Sequence, residues 1–187
     1  TLGGENCAFI RNMWANNAGR NPSIGWNGIF NFVNNVVFNW SNRSIDGGDY
    51  TANYNIINNY FKPGPVTNLK EPISYRILKP ESGRSKLSYM VYGRAHVVGN
   101  IVENNEKVTK NNWDGGVQIE NKKGELMTYE ESKPYFDKMN SDRPFPMPWF
   151  KNILKAEEAY DFVLKNVGAT LPIRDKVDER IVRTVKT

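Results

Sequence analysis

A chain of 187 residues with net charge +5, 39% apolar residues and a mean hydropathy of −0.62 can build one domain around a core of its own. No stretch approaches the roughly 18 consecutive apolar residues of a membrane span, and the single Cys7 excludes an internal disulfide or a cysteine-built metal cluster, leaving a small buried residue as its expected role. The charge excess is local: residues 62–100 hold seven Lys or Arg against Glu71 and Glu81, basic residues interleave with aromatics only in part of that stretch, and no nucleic-acid partner is predicted.

In chain order, "TLGGENCAFIRN" (1–12) enters directly as a coil of a repeat. Earlier coils of the same protein are therefore expected to precede it, the chain opening on Thr1 as a mature product or a piece of something larger. Next comes "NMWANNAGRNPSIG" (12–25), a polar turn that carries one arginine, Arg20, two residues before Pro22. Pro22 stiffens this turn.

Asparagine numbers about 25, far above ordinary usage, and part of it is periodic. Asn12, Asn35, Asn59 and Asn100 are each followed by apolar residues and separated by 23, 24 and 41 positions. "GIFNFVN", "ANYNIIN" and "MVYGRAHVVG" precede three of them and alternate as half-buried strands do. Short strands recurring at this period predict an all-β chain folded as a parallel β-helix. Asparagine tolerates the left-handed backbone of a tight bend, and its amide can bond to the equivalent residue one coil away, about 4.8 Å distant. The long interval is one coil plus about 17 residues, an insertion placed between Lys62 and about Lys86 and expected to be a basic loop with little regular structure.

Residues 1–120 are thus read as coils and 121–187 as an irregular segment followed by amphipathic helices that pack on them. "SDRPFPMPWF" is expected to cover apolar surface rather than form a strand. "AEEAYDFVLKNVGA" puts Ala159, Phe162, Val163 and Val167 on one helical face with Gly168 as its stop, and a second helix presents Val177, Ile181, Val182 and Val185.

"NMWANNAGRNPSIGWNGIFNFVNNVVFNW", followed by "IINNYFKPGPVT", resembles the pectate lyase family of polysaccharide lyases, and the terminal "AEEAYDFVLKNVGATLPIRDKVDERIVRTVKT" is similar to the closing segment of its bacterial secreted subgroup. The chain would then be the C-terminal portion of such a protein. The resemblance implies a right-handed parallel β-helix and calcium-assisted β-elimination of a pectate-like polyuronide such as polygalacturonate. It also implies a monomer that is secreted, periplasmic or at the cell surface, with an acidic polysaccharide as partner. Its catalytic base, the arginine of an Arg-x-Pro element, falls on Arg20. A guanidinium is a poor base, so either bound cations lower its pKa or it clamps the developing enolate charge.

Lys62 matches the family pattern and is a substrate-binding candidate, with Arg43 and Arg11 as weaker ones. A second family arginine is replaced by Gly25. The family's calcium ligands lie upstream of residue 1, leaving Asp46 and Asp49, in "SIDGGDY", as weak metal candidates beside a plain turn. His96 reads as structural, and Tyr50, Trp26 and Trp40 as sugar platforms or core. The alternatives are a non-catalytic β-helical carbohydrate-binding relative and, behind it, a polygalacturonan hydrolase, which would want more aspartates.

Overall fold

The computed structural model describes residues 5–83, 89–147 and 152–187. Eleven short strands in this part of the chain make three parallel sheets, visited in turn. The first sheet has the order β1 (Asn6–Ile10), β4 (Ile29–Val33), β7 (Asn53–Ile57), β10 (Arg94–Val98). The second stacks β2 (Met13–Ala15), β5 (Val36–Phe38), β8 (Tyr60–Lys62) and β11 (Ile101–Val102). The third stacks β3 (Ser23–Ile24), β6 (Ile45–Gly47) and β9 (Leu78–Pro80). Each strand pairs with its equivalent one circuit away, as Phe9 with Phe32 and Phe32 with Ile56. This is the arrangement a parallel β-helix requires. Inward side chains of all three sheets, among them Phe32, Ile45, Tyr54, Ile56 and Leu78, and Trp40 from the turn after β5, are fully or almost fully buried in one core.

The periodic asparagines form a ladder inside that stack. The Asn35 Oδ1 accepts the backbone N–H of Asn12 at 2.9 Å and its Nδ2 at 3.1 Å. Asn59 does the same for Asn35, at 2.8 and 3.1 Å, and Asn100 for Asn59, at 3.0 and 2.8 Å. A fifth rung, Asn112, receives Asn100 at 2.9 and 3.0 Å. It was not predicted, because it follows a short helix, α1 (Glu106–Lys110), instead of a strand.

The residue before each of the first four rungs is left-handed: Arg11, Asn34, Asn58 and Gly99 have φ of 58, 56, 49 and 67°. Left-handed backbone is costly for most L residues and cheap for Gly and Asn. Its recurrence at one corner of every coil marks it as architectural.

The extra residues of the third coil are not one loop. Residues 63–77 separate β8 from β9 where 39–44 separate β5 from β6, and 81–93 separate β9 from β10 where 48–52 separate β6 from β7. Two insertions therefore flank β9, and the first contains a 3-10 turn at Pro72–Tyr75. The expectation of a single loop with little regular structure is corrected accordingly. The register of β9 with β6 was hidden because only Leu78 and Pro80 point to the interior.

Beyond the coils, α2 (Tyr129–Met139) starts with a reciprocal cap between Thr128 and Glu131 and buries Phe136 and Met139. A helix thus stands within the segment expected to be irregular. Helices α3 (Ala156–Asn166) and α4 (Lys176–Lys186) form a second apolar cluster, with Val163, Leu164, Val182 and Val185 on the outer face of β5 at Val36 and Phe38. Phe162 is 39% exposed, so Leu164 takes its expected place.

The segment leading to α3 is pinned to every coil. The Ser141 N–H donates to the Ala95 carbonyl, Phe145 exchanges two bonds with Asn55, Leu154 bonds Asn34 and Asn58, and the Asn152 carbonyl accepts from Arg11. Cys7 is only half-buried, in the first coil. No helix among the described residues is long and apolar enough to cross a membrane.

Candidate functional site

Ser23, Asp46 and Lys79 are register partners across the third sheet. Counting three residues back from each reaches Arg20, Arg43 and Arg76, so three successive turns from the second sheet to the third each carry an arginine at an equivalent place. The turns are bolted together. The Ala18 carbonyl accepts from the N–H groups of Ser41, Asn42 and Arg43, the Asn21 N–H donates to Ser44, the Asn21 amide donates to the Arg43 carbonyl at 2.8 Å, and the Ser44 hydroxyl donates to the Arg76 carbonyl at 2.6 Å.

The three guanidinium groups differ in what holds them. Arg43 lies 2.8 Å from Asp46, a carboxylate with no solvent exposure, and that hydrogen bond raises the arginine's pKa further. Arg76 is mostly buried, which lowers its pKa; its Nε donates to the Gln118 Oε1 at 2.6 Å and its Nη2 lies 3.7 Å from Glu120. Lys79 is shared between Glu81 and Glu120 at 3.0 and 3.1 Å. Acids from beyond residue 100 thus neutralise much of the basic segment, while Arg84 and Lys86 lie outside the described residues.

Arg20 is different. It is exposed, and no hydrogen bond or ion pair joins its side chain to any other described residue. Its φ is 60°, and the Asn21–Pro22 peptide bond that follows is cis. Arg43 and Arg76 do not share this left-handed backbone. Left-handed backbone at a residue other than glycine or asparagine is strained, and such strain is where function is sought.

The other sequence candidates are placed elsewhere. The Lys62 ammonium is mostly buried on the second sheet, 3.6 Å from Glu103 and 6.0 Å above the Tyr160 ring of α3. Arg11 donates to the Asn152 carbonyl at 2.7 Å and covers the Phe162 ring at 4.6 Å. Both tie the C-terminal part of the chain to the coils, and neither joins the Arg20 row. The His96 Nδ1 meets the Ser141 carbonyl at 2.7 Å, as a structural histidine would. Trp40 is core, its indole donating to the Ile73 carbonyl, whereas Trp26 and Tyr50 are exposed.

Calcium wants six to eight oxygen ligands, and one oxygen of each of the two candidates, Asp46 and Asp49, is already engaged. Arg43 occupies the Asp46 Oδ2, and both the N–H and the hydroxyl of Thr51 donate to the Asp49 Oδ1. Among the described residues no three His, Cys, Asp or Glu side chains gather as a metal group. Asp46 keeps one oddity, a buried Oδ1 with no hydrogen-bond partner among the described residues.

No family model matches the chain. It is similar to fungal proteins named probable pectate lyase C: 26% identical to that of Aspergillus flavus over 183 residues, covering 96% of this chain and 36% of that protein. With the Aspergillus terreus protein it shares 27% over 191 residues, covering 98% and 38%. A shorter match, to Neosartorya fischeri, is 39% identical over 69 residues, covering 33% of this chain and 15% of that protein. The chain spans little more than a third of the length of the relatives it matches end to end. The similarity supports the pectate lyase family; the relatives being fungal, it gives no support to the bacterial subgroup.

Proposed function

We propose that this chain is part of a secreted polysaccharide lyase that cleaves a pectate-like polyuronide by β-elimination, and that it forms the C-terminal coils of a right-handed β-helix. The observation that carries the proposal is Arg20: a guanidinium unattached to any other described residue, on a left-handed backbone that Arg43 and Arg76 do not share, at the rim of the third sheet. The names of the fungal relatives point to the same chemistry.

In the reaction, a base takes the proton from C5, next to the uronate carboxylate, and the electron pair left behind forms the C4–C5 double bond as the oxygen at C4 departs. Negative charge builds on the carboxylate as the proton leaves. A fixed cation beside it stabilises that charge more than it stabilises the ground state. Arg20 is given that role; the part of proton acceptor that the family resemblance assigns to it is the alternative, since it needs the neutral guanidine instead of the cation. Calcium is proposed as a cofactor of the whole protein; one oxygen of Asp46 and one of Asp49 are already engaged by Arg43 and Thr51.

Polygalacturonate with calcium should yield ultraviolet-absorbing unsaturated ends, and Arg20→Ala should abolish them without moving the unfolding midpoint. New reducing ends without that absorbance would assign a hydrolase instead. Gly25, which leaves Arg20 without the second arginine of the family pattern, favours a carbohydrate-binding relative as second reading. Binding with no product of either kind would establish it.

A further inference from the structure

Among the described residues, three tryptophan or tyrosine side chains are exposed: Trp26 at 44%, Tyr50 at 43% and Tyr89 at 54%. All three occupy the turns from the third sheet back to the first, one in each of three successive coils, between β3 and β4, β6 and β7, and β9 and β10. Singly exposed aromatics are common, but here Trp26 and Tyr50 stand at equivalent places, three residues before the paired Ile29 and Asn53, with Tyr89 in the longer turn of the next coil. The turns that carry the first two are rigid: Asn27, left-handed at φ 63°, donates its N–H to the Thr51 hydroxyl at 3.0 Å, and Thr51 is itself held by the buried Asp49. The third tyrosine has Lys122 6.0 Å from its ring centre. The arginine row lies in the turns that enter the same sheet, so its strands are bordered by cations where the chain arrives and by aromatic rings where it leaves.

We infer that Trp26, Tyr50 and Tyr89 are a stacking rail for the pyranose rings of an acidic glycan, which lies across the strands of the third sheet with its carboxylates toward Arg20 and Arg43. This rests on the function proposed above and adds to it. Coils repeat about every 4.8 Å, close to the length of one sugar unit, so neighbouring rings meet neighbouring coils. Stacking uses the apolar face of the sugar and is indifferent to the charge of its carboxyl group. A chain whose uronates are methyl-esterified is therefore held by the same rail.

The test is binding of polygalacturonate and of fully methyl-esterified polygalacturonate to the whole protein, followed by calorimetry. Trp26→Ala and Tyr50→Ala should each weaken binding of both polymers about three- to tenfold, with Trp26→Phe close to wild type and all unfolding midpoints unchanged. Arg20→Ala should weaken only the charged polymer. If the Trp26→Ala/Tyr50→Ala double variant binds both polymers as tightly as wild type, the rail is refuted while the lyase function, read from unsaturated ends, stands untouched. If wild-type protein binds neither polymer and releases no unsaturated ends, both fall.

Discussion

Replacing Asn59 by alanine tests how much of the fold rests on the ladder. Asn59 is completely buried. Its Oδ1 accepts from the N–H and Nδ2 of Asn35, and its Nδ2 donates to the Phe32 carbonyl at 2.9 Å and the Asn100 Oδ1 at 2.8 Å. Truncation removes four bonds, but the consequences differ. Asn35 Nδ2 keeps the carbonyls of Phe9 and Val33, and Asn100 Oδ1 keeps the Asn59 backbone N–H. The Asn35 N–H loses the acceptor described for it, in a residue with no exposure. An orphaned buried donor costs about 1–3 kcal/mol and an ordinary lost bond about 1. With three ordinary bonds lost beside the orphaned donor, the sum is roughly 4–6 kcal/mol, a large part of the 5–15 kcal/mol that typically separates folded from unfolded chains.

Asn12→Ala is the internal control. Asn12 is exposed and its side chain only donates, to Ile10 and to Asn35, so removing it orphans no donor and should cost about 1 kcal/mol or less. Urea unfolding followed by far-ultraviolet circular dichroism would measure both, with equal m-values securing the comparison. A loss for Asn59→Ala within 1 kcal/mol of that for Asn12→Ala would refute the claim that these side chains act as rungs.

Other substitutions separate site from scaffold. Arg20→Gly should leave stability unchanged or raise it by up to about 1 kcal/mol, because glycine relieves the left-handed backbone at the cost of greater entropy in the unfolded chain; denaturant midpoint and unsaturated-end release measured together check that activity disappears while stability does not. Arg43→Ala should cost about 3 kcal/mol, since it leaves the buried Asp46 carboxylate without its cation, and Arg43→Ala/Asp46→Asn should recover most of that loss in the same unfolding assay. If calcium supports the reaction, Asp46→Asn and Asp49→Asn should leave the calcium concentration for half-maximal activity unchanged; a tenfold rise would identify a ligand. Burial raises the Tyr54 hydroxyl well above its ordinary value near 10, with the nearby Asp49 charge adding to it, and burial likewise pushes Tyr92 up to about 12. The folded state then holds protons that the unfolded state releases, so the stability these groups lend is intact below pH 10 and falls above it. For the buried Tyr54 the loss is about 1.4 kcal/mol per pH unit, and Tyr54→Phe should flatten the measured slope by that amount between pH 10 and 12.

What the sequence disclosed and what it hid follow from the range over which each feature is encoded. Asn12, Asn35, Asn59 and Asn100 were legible because a ladder must repeat at the length of a coil, and the period survives any change in the residues between. Arg20 was legible through its proline and its family resemblance, but its lack of a partner among the described residues was not. That depends on Arg43 and Arg76, its neighbours in space, having acids of their own. Lys62 and Arg11 looked like site residues because their partners, Glu103 and the Asn152 carbonyl, lie 41 and 141 positions away. The second helix was missed for a different reason. Pro134 reads as a breaker, yet the Thr128-x-x-Glu131 cap at its start was present to be read.

The bonds from residues 141–154 to every coil have a consequence for how the chain is made. The asparagines and the arginine that receive this segment emerge from the ribosome about ninety or more residues before Phe145, Asn152 and Leu154 do. Until then the Oδ1 atoms of Asn34 and Asn55 and the amide of Asn58 lack the partners this segment brings, and the coils cannot be fastened from outside. Such closure over long sequence separations is slow. A protease that nicked the fastening segment would unlatch the first coils and the last at one stroke.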